Sequence, residues 1–310
     1  MSNTDTYAAL NKRAFIALLI GGVAIGTSPI FMRFTDVTPT SAAFWRVCLS
    51  VPLLLIWVQW QRQKNKATNQ DDDTRKLFIK IRPYMIVGFF FATDLTLWHW
   101  SVEKTTVANA TLLANIAPVF AALAGFLLFG ERFSKTFIAG MALALFGALS
   151  LMGQSAEINP TNIEGDILGL FTAVAYAGYI VSSARIRQNL STASVMLGTA
   201  VFTSLFLLPI ALTEAVSGGL LIPASLTGWL PLIGLAWGTH VVGQSLIIYG
   251  LAHLPATFGS ISLLIQPAVA TILAWMLFAE ALGMYHFVGG LLIIAGILLC
   301  KKGIKKRRLK

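Results

Sequence analysis

Several polar and aromatic side chains recur at helical spacing inside long apolar stretches of the sequence. Tyr176 and Tyr179 are three residues apart, and His240 and Gln244 are four apart, so each pair shares one face of a helix. Amides and an imidazole hydrogen-bond the polar group of a small molecule, and aromatic rings contact its planar or apolar part. The pattern predicts a non-covalent binding site, with helix–helix packing by the same side chains as the alternative. The residues predicted to bind a ligand are Asn115, Tyr176, Tyr179, Trp237, His240, Gln244, Gln266 and Trp98.

Arg46 and Asp94 place formal charges inside apolar stretches, where a charged side chain is costly in hydrocarbon. Arg46 lies about 5 residues, or roughly 8 Å, into its helix at 1.5 Å per residue, and Asp94 lies about 8 residues, or roughly 12 Å, from the same side. The similar depth predicts a charge pair. Two roles stay open for it: a clamp between two helices, or a site for a coupling ion or a charge on the substrate.

Pro118 and Pro267 lie within two of the predicted helices, and each removes one backbone donor. Pro118 is expected to free the carbonyl of Ala114, and Pro267 that of Leu263. In lipid such a carbonyl must find another partner, which a polar cavity wall can supply. The two prolines therefore predict helix breaks beside the binding site.

The composition is that of a membrane protein with many spans. Apolar residues make up 56% of the chain and charged residues only 12%, whereas soluble domains carry roughly 25% charged residues. Apolar runs of about 20 residues predict transmembrane helices. The ten predicted spans are 13–32, 41–61, 83–102, 106–129, 134–153, 165–185, 192–213, 228–250, 256–279 and 284–302.

Basic residues predict the orientation of these spans. If the N-terminus is cytoplasmic, 20 of the 23 lysines and arginines fall on the cytoplasmic side, where positive residues are retained. Both termini are therefore predicted to be cytoplasmic, in an inner bacterial membrane. The net charge of +10 then reflects topology and implies no nucleic-acid partner, and the basic tail 301–310 is a stop-transfer flank that can also contact anionic membrane lipid. Cys48 and Cys300 form neither a disulfide framework nor a metal motif.

A duplicated pattern divides the chain into two halves. At a constant offset of 149 residues, Pro118 matches Pro267 and Glu131 matches Glu280. Five predicted spans fall in each half, and because five is an odd number, the halves must be inverted relative to each other. Inverted repeats place a binding site between them, near the bilayer midplane. The first repeat is 1–153, the linker is 154–164, and the second repeat with the basic tail is 165–310.

The duplicated pattern resembles the repeat unit of the drug/metabolite transporter superfamily, in its EamA-type, ten-helix form. The residues that carry this resemblance are Thr106-Val107-Ala108-Asn109-Ala110, Pro118, Gly130-Glu131-Arg132 and Gly140, then Pro255-Ala256, Pro267, Ala279-Glu280-Ala281 and Gly289. In addition, Thr40–Arg46 is similar to the start of the family's second helix, and Gly165–Gly169 resembles the opening of its second half. The resemblance implies a basket of ten helices, with a central cavity formed by helices 1–4 and 6–9 and with helices 5 and 10 at the periphery. Two positions depart from the repeat: Ala279 replaces Gly130, and Val195 stands where Arg46 would recur.

These patterns predict a secondary transporter, acting as an exporter, that moves a small metabolite by alternating access. A pocket rich in aromatic rings and amides and low in net charge suits an amino acid, an amino-acid derivative or a heteroaromatic compound. A phosphorylated sugar would call for clusters of Arg or Lys. Asp94 or His240 allows proton coupling, and exchange without coupling is equally compatible with the sequence.

Two other classes of protein compete with a transporter. An intramembrane enzyme would need a motif such as His-Glu-x-x-His, and an ATP-driven pump would need Gly-x-x-x-x-Gly-Lys; the sequence contains neither. We therefore expect no enzymatic activity and no cofactor. A membrane sensor or scaffold that uses the same multi-helix cavity is the other alternative.

Overall fold

The structure, a computed structural model, describes residues 3–67, 81–105, 107–152, 162–278 and 283–304. All regular secondary structure in these ranges is helical. Several predicted features lie outside the described residues: Thr106 of the first repeat motif, Ala279-Glu280-Ala281 of the second, most of the linker 154–164, and the end of the basic tail.

The helices of these ranges group into ten stretches, labelled α1 to α10 in chain order. They are α1 (Asn3–Gly26 and Ser28–Arg33), α2 (Pro39–Cys48 and Val51–Ala67), α3 (Ile81–Lys104), α4 (Val107–Ala114 and Ala117–Phe129), α5 (Lys135–Met152), α6 (Ile163–Arg187), α7 (Thr192–Val216), α8 (Leu226–Ile233, Gly234–Gln244 and Ser245–Leu251), α9 (Ala256–Ser262 and Ile265–Phe278) and α10 (Met284–Gly303).

Eight helices within the described residues are long and apolar enough to cross a membrane. α5 contains a shorter apolar helix, Lys135–Leu151. α3 is long enough but less apolar, because Asp94, His99 and two tryptophans interrupt its hydrophobic residues. The molecule is therefore an all-helical integral membrane protein, and the polar side chains of α3 mark it as different from the other long helices.

α4 and α9 are each interrupted just before their prolines. At the break in α9, the N–H of Gln266 donates to the carbonyl of Leu263 at 3.0 Å. The prediction that Pro267 leaves this carbonyl without a backbone partner is therefore wrong. A tighter turn, in which a residue bonds to the third residue before it, satisfies the carbonyl and bends the helix at the same point.

α8 changes into a π-helix over Gly234–Gln244. π-helical turns are rare and occur frequently at functional sites. α1 packs directly on this segment, since a Cβ atom on Gly21 would lie only 2.7 Å from the carbonyl oxygen of Gly243. Because only glycine permits so close an approach, α1 supports the segment that carries His240.

α5 and α10 pack mainly against each other. Gly140, Gly147, Gly289 and Gly296, together called the glycine seam, bring the two backbones together; a Cβ atom on Gly147 would lie 2.7 Å from the carbonyl oxygen of Gly289. Phe146, elsewhere on α5, is 62% exposed. The pair therefore forms an edge of the bundle with apolar side chains turned outward.

The main apolar core lies among α2, α3, α6, α7 and α8. Tyr84 and Tyr179 are among its largest fully buried side chains. α3 is central to it, because α3 packs against both α6 and α7. The helices that carry the predicted charges Arg46 and Asp94 are thus held by this core.

Candidate functional site

A narrow cavity lies where the breaks in α4 and α9 meet α6. Asn115 and Pro118 line it from α4, Gln266 from α9 and Tyr176 from α6. The sequence singles out all four, Pro118 as a helix break and the others as ligand contacts. The space measures about 20 Å³, which is room for roughly one water molecule. The structure therefore brings these residues together around a space much smaller than a metabolite.

Two amides in the cavity wall have donors that bond to none of the described residues. They are Nδ2 of Asn115 and Nε2 of Gln266, both buried. The hydroxyl of Tyr176 lies beside the side chain of Gln266. Buried donors without partners are rare in native proteins, and each needs an explanation. Both amides are available to donate to a polar group in the cavity.

Four aromatic rings, called here the aromatic row, extend from this cavity to α8. The ring centroids of Tyr176 and Tyr179 are 6.1 Å apart, and those of Tyr179 and Phe91 are 4.6 Å apart. Phe91 in turn stacks on His240 at 5.7 Å. Such stacking fixes the rings relative to one another. Phe91 was not predicted as a site residue because it belongs to a run of phenylalanines. Its spacing of three residues from Asp94 places both on one face of α3, and this spacing could have identified it.

His240 ends the aromatic row and is only 1% exposed. Its two ring nitrogens both lack a hydrogen-bond partner in the described part of the chain. Next to it on α8, Gln244 donates through Nε2 to the hydroxyl of Tyr179. A buried polar group without a partner costs about 1–3 kcal/mol. This cost marks the imidazole as a candidate ligand contact, whereas Gln244 serves to position Tyr179.

Arg46 and Asp94 lie in the same interior without forming a direct ion pair. Each is within electrostatic range of the other, yet among the described residues no nitrogen–oxygen distance between them is 4.0 Å or shorter. Arg46 is also within range of Tyr176 and Tyr179. Arg46 and Asp94 are therefore neighbouring charges, but they do not form the direct ion pair that the sequence predicts. The term interior group is used below for these two charges, the aromatic row, Gln244 and the amides of Asn115 and Gln266.

Two tryptophans were also predicted to bind a ligand, and neither lines the narrow cavity between α4, α6 and α9. Trp237 is 47% exposed, and its Nε1 donates to the carbonyl of Leu49 at 3.3 Å. The π-helix that carries both Trp237 and His240 has a wider turn than an α-helix, so side chains along it do not follow the 3.6-residue register. Trp98 is half-buried and meets the ring of His99 edge-on, with centroids 5.1 Å apart.

The two ends of the bundle differ. At one end Thr257, at the start of α9, donates to a carboxylate oxygen of Glu131 after α4 at 3.2 Å. At the other end a pocket of about 300 Å³ lies between α2, α3 and α7. Its lining residues are Thr38, Pro39, Glu103, Thr213, Glu214 and Ser217. One end thus has a hydrogen bond that joins α9 to the segment after α4, and the other has a surface pocket among the ends of three helices.

No cluster of His, Cys, Asp and Glu side chains that could hold a metal ion occurs among the described residues. The interior group offers amides, phenols, an imidazole and one charge of each sign. These groups recognise organic molecules through hydrogen bonds, charge and stacking. The arrangement is suited to reversible binding.

Comparison with known proteins places this geometry in a family. A model of the EamA-like transporter family matches residues 12–153 and again residues 163–300. The chain is 25% identical over 300 residues to an uncharacterized transporter of Archaeoglobus fulgidus, with 94% of this chain and 98% of that protein covered. It is 28% identical over 212 residues to a probable terminal-alkyne amino-acid exporter of Streptantibioticus cattleyicolor, with 68% and 70% covered.

A crystal structure shares the fold with a TM-score of 0.74 over 95% of this chain and 98% of the other, at 18% sequence identity. At this identity the likeness concerns the fold alone. The family match covers nearly the whole chain, in two consecutive halves. With its apolar helices and this match, the chain belongs to the EamA-like transporter family.

Proposed function

We propose that this protein is a secondary transporter that exports a small metabolite by alternating access. The observation that carries the proposal is a set of polar groups that find no partner among the described residues: the amides of Asn115 and Gln266 and the imidazole of His240. Inside a membrane bundle such groups are costly unless a substrate or water meets them. Membership in a transporter family supports the same conclusion.

The architecture we propose is ten spans in two inverted repeats, 1–153 and 165–310, with both termini in the cytoplasm of a bacterial cell. The separate family matches to the two halves support the duplication, and the basic residues support the orientation. α4 and α9 occupy corresponding positions in the two halves, and both are broken. Paired, discontinuous helices are typical of a transporter site near the midplane.

Transport requires the cavity to widen, because about 20 Å³ holds only about one water molecule. In the proposed cycle one repeat rocks against the other, with the breaks in α4 and α9 as hinges. The contact between Thr257 and Glu131 closes the end that the proposed topology places in the cytoplasm. Its release would open the interior to the cytoplasm.

The proposed substrates are amino acids, their derivatives and heteroaromatic compounds. The aromatic row offers flat apolar faces, and the amides and imidazole offer hydrogen bonds. Arg46 is a single cation in the interior group, whereas a phosphorylated sugar would call for several. The relative named a probable amino-acid exporter supports this class. Asp94 or His240 could carry a coupling proton, and uncoupled exchange is the second candidate mechanism.

Flux measured with purified protein in liposomes tests the proposal. Vesicles loaded with isotope-labelled amino acids should release them faster with the protein than without it. His240→Ala should slow the release, and Phe146→Ala at the exposed edge should not. A protein that binds these compounds but moves none, with or without a pH gradient, would be a sensor or scaffold.

Single cysteines at Glu131 and Glu280 test the inverted repeats, in a background where Cys48 and Cys300 are replaced. A membrane-impermeant maleimide should label position 280 from outside intact cells and position 131 only from the cytoplasmic side. Labelling of both positions from one face would overturn the architecture.

A further inference from the structure

Arg46 carries a positive charge inside the bundle without a hydrogen bond to any described residue. Its Nε is buried without a partner, and neither terminal nitrogen donates within the described ranges. A guanidinium has five N–H donors in a planar fork that matches a carboxylate. The side chain of Arg46 is half-buried, and a charge in an apolar interior is unfavourable unless a counter-charge or water meets it. Arg46 therefore has the chemistry of an anion contact.

Asp94 supplies the opposite charge from α3. It is within electrostatic range of Arg46, but the two side chains do not approach to the 4.0 Å of a direct ion pair in the described structure. Neighbouring opposite charges that do not touch can be bridged by a molecule that carries both complementary charges. Its anionic group would meet Arg46, and its cationic group would meet Asp94.

Both charges lie beside the start of the aromatic row. Tyr176 and Tyr179 are each within electrostatic range of Arg46 and of Asp94. From there the stacked rings continue through Phe91 to His240. A ligand with its head group between the two charges would therefore have its side chain next to a flat, largely apolar surface.

We propose that Arg46 and Asp94 form a subsite for a zwitterionic head group, with the carboxylate bound by Arg46 and the ammonium by Asp94. The ligand class is the free amino acid, with its side chain along the aromatic row. The inference rests on the proposed transport function. It narrows the range of proposed substrates, because it excludes heteroaromatic compounds, amines and acids that lack either charge.

Such a subsite discriminates by leaving a protein charge unmatched. A ligand without its carboxylate leaves the guanidinium of Arg46 unmatched inside the bundle, and a ligand without its ammonium does the same to Asp94. Sites built to bond a polar group reject analogues that lack it for this reason. We expect the matched amine and the matched acid to bind about tenfold to a hundredfold more weakly than the amino acid.

Thermal unfolding of the detergent-purified protein tests this expectation, because a ligand that binds the folded state raises the midpoint by mass action. The L-amino acids are added one at a time. For the one with the largest shift, the decarboxylated amine and the deaminated acid are measured at the same concentration. The amino acid should raise the midpoint clearly more than either analogue. An equal shift with either analogue, or no shift with any amino acid, would overturn the subsite. In that case, flux of another compound in liposomes would still support the transport proposal.

Isosteric variants assign the two halves of the subsite. Arg46→Gln should bind the amino acid no better than its amine, and Asp94→Asn should bind it no better than its acid, while Phe146→Ala keeps the full preference. If Arg46→Gln does not fold, Arg46→Lys keeps the charge without the planar fork and should bind more weakly with the same order of preference. Full retention of the preference in both isosteric variants would show that the zwitterion is bound elsewhere.

Discussion

The glycine seam and the interior group belong to the same bundle but are built on opposite principles. In the seam, a Cβ atom on Gly296 would lie 2.5 Å from the backbone nitrogen of Ala144, so the two helices are in direct backbone contact. Around the interior group, helices are broken or widened into a π-helix. There, Asn115 and His240 retain polar atoms that bond to no described residue.

This difference separates stability from function. Close backbone contact gains dispersion energy and is a common basis of helix association in membranes. Polar groups without partners reduce stability, so their presence in an apolar bundle is explained by a functional role. Substitutions in the glycine seam should therefore change folding but not affinity. Removing the interior charges together should abolish transport and should cost less stability than removing either charge alone.

The largest effect is expected for Arg46 and Asp94. Arg46→Leu or Asp94→Leu alone should lower the free energy of unfolding by about 3 kcal/mol, because either change leaves the other charge without its counter-charge. This value is near the low end of what is lost when a buried ion pair is broken, because no direct hydrogen bonds join the two side chains. The double substitution should recover part of that loss and should not transport. Thermal midpoints and liposome flux give both readouts in a double-mutant cycle. Additive losses would show that the charges are not coupled, and transport by the double variant would remove them from the site.

A smaller loss is expected for Gly296→Ala in the glycine seam. The added methyl group forces the backbones of α5 and α10 apart, and overpacking of this kind costs about 1–3 kcal/mol. Gly290→Ala on the same helix is the matched control, since no atom lies within 4 Å of its Cβ position. Its midpoint should stay the same or rise. Equal midpoints for the two variants would contradict direct backbone packing in the seam.

The smallest loss is expected for Thr257→Val, which keeps the side-chain shape and removes the hydrogen bond to Glu131. It should cost about 1 kcal/mol and make a cysteine at Glu131 react faster with a maleimide. Ser262→Ala is the control, because among the described residues its hydroxyl bonds only to the carbonyl of Phe258 in its own helix. Unchanged labelling in Thr257→Val would show that this contact does not close the bundle.

Helical periodicity could place three residues of the interior group. Asn115, Tyr176 and Gln266 line one cavity; Tyr176 lies in the unbroken helix α6, and Asn115 and Gln266 lie at the breaks that Pro118 and Pro267 predicted. Their role in binding stays a prediction. The family could also be predicted from the duplicated pattern, since the order of its motifs carries more information than any one of them.

Other features could not be predicted from the sequence. The apolar pattern does not predict the π-helix at Gly234–Gln244, which changes the helical register of Trp237 and His240. Counting residues gave the depth of Arg46 and Asp94 but could not give the distance between them, which depends on the rotation of two helices. Phe91 looks like any other apolar residue in sequence, and only packing reveals its place between Tyr179 and His240.

Substrate affinity tests most directly whether the interior group is the binding site. The dissociation constant of the isotope-labelled amino acid that gives the largest thermal shift is measured for the wild type and for three variants. Tyr176→Ala and His240→Ala should each weaken binding by about 1–3 kcal/mol, the cost of an unmatched buried partner. Phe146→Ala, whose side chain is exposed at the edge of the bundle, should bind as the wild type does. Wild-type affinity in both interior variants would contradict the site and would show that Tyr176 and His240 serve in helix packing.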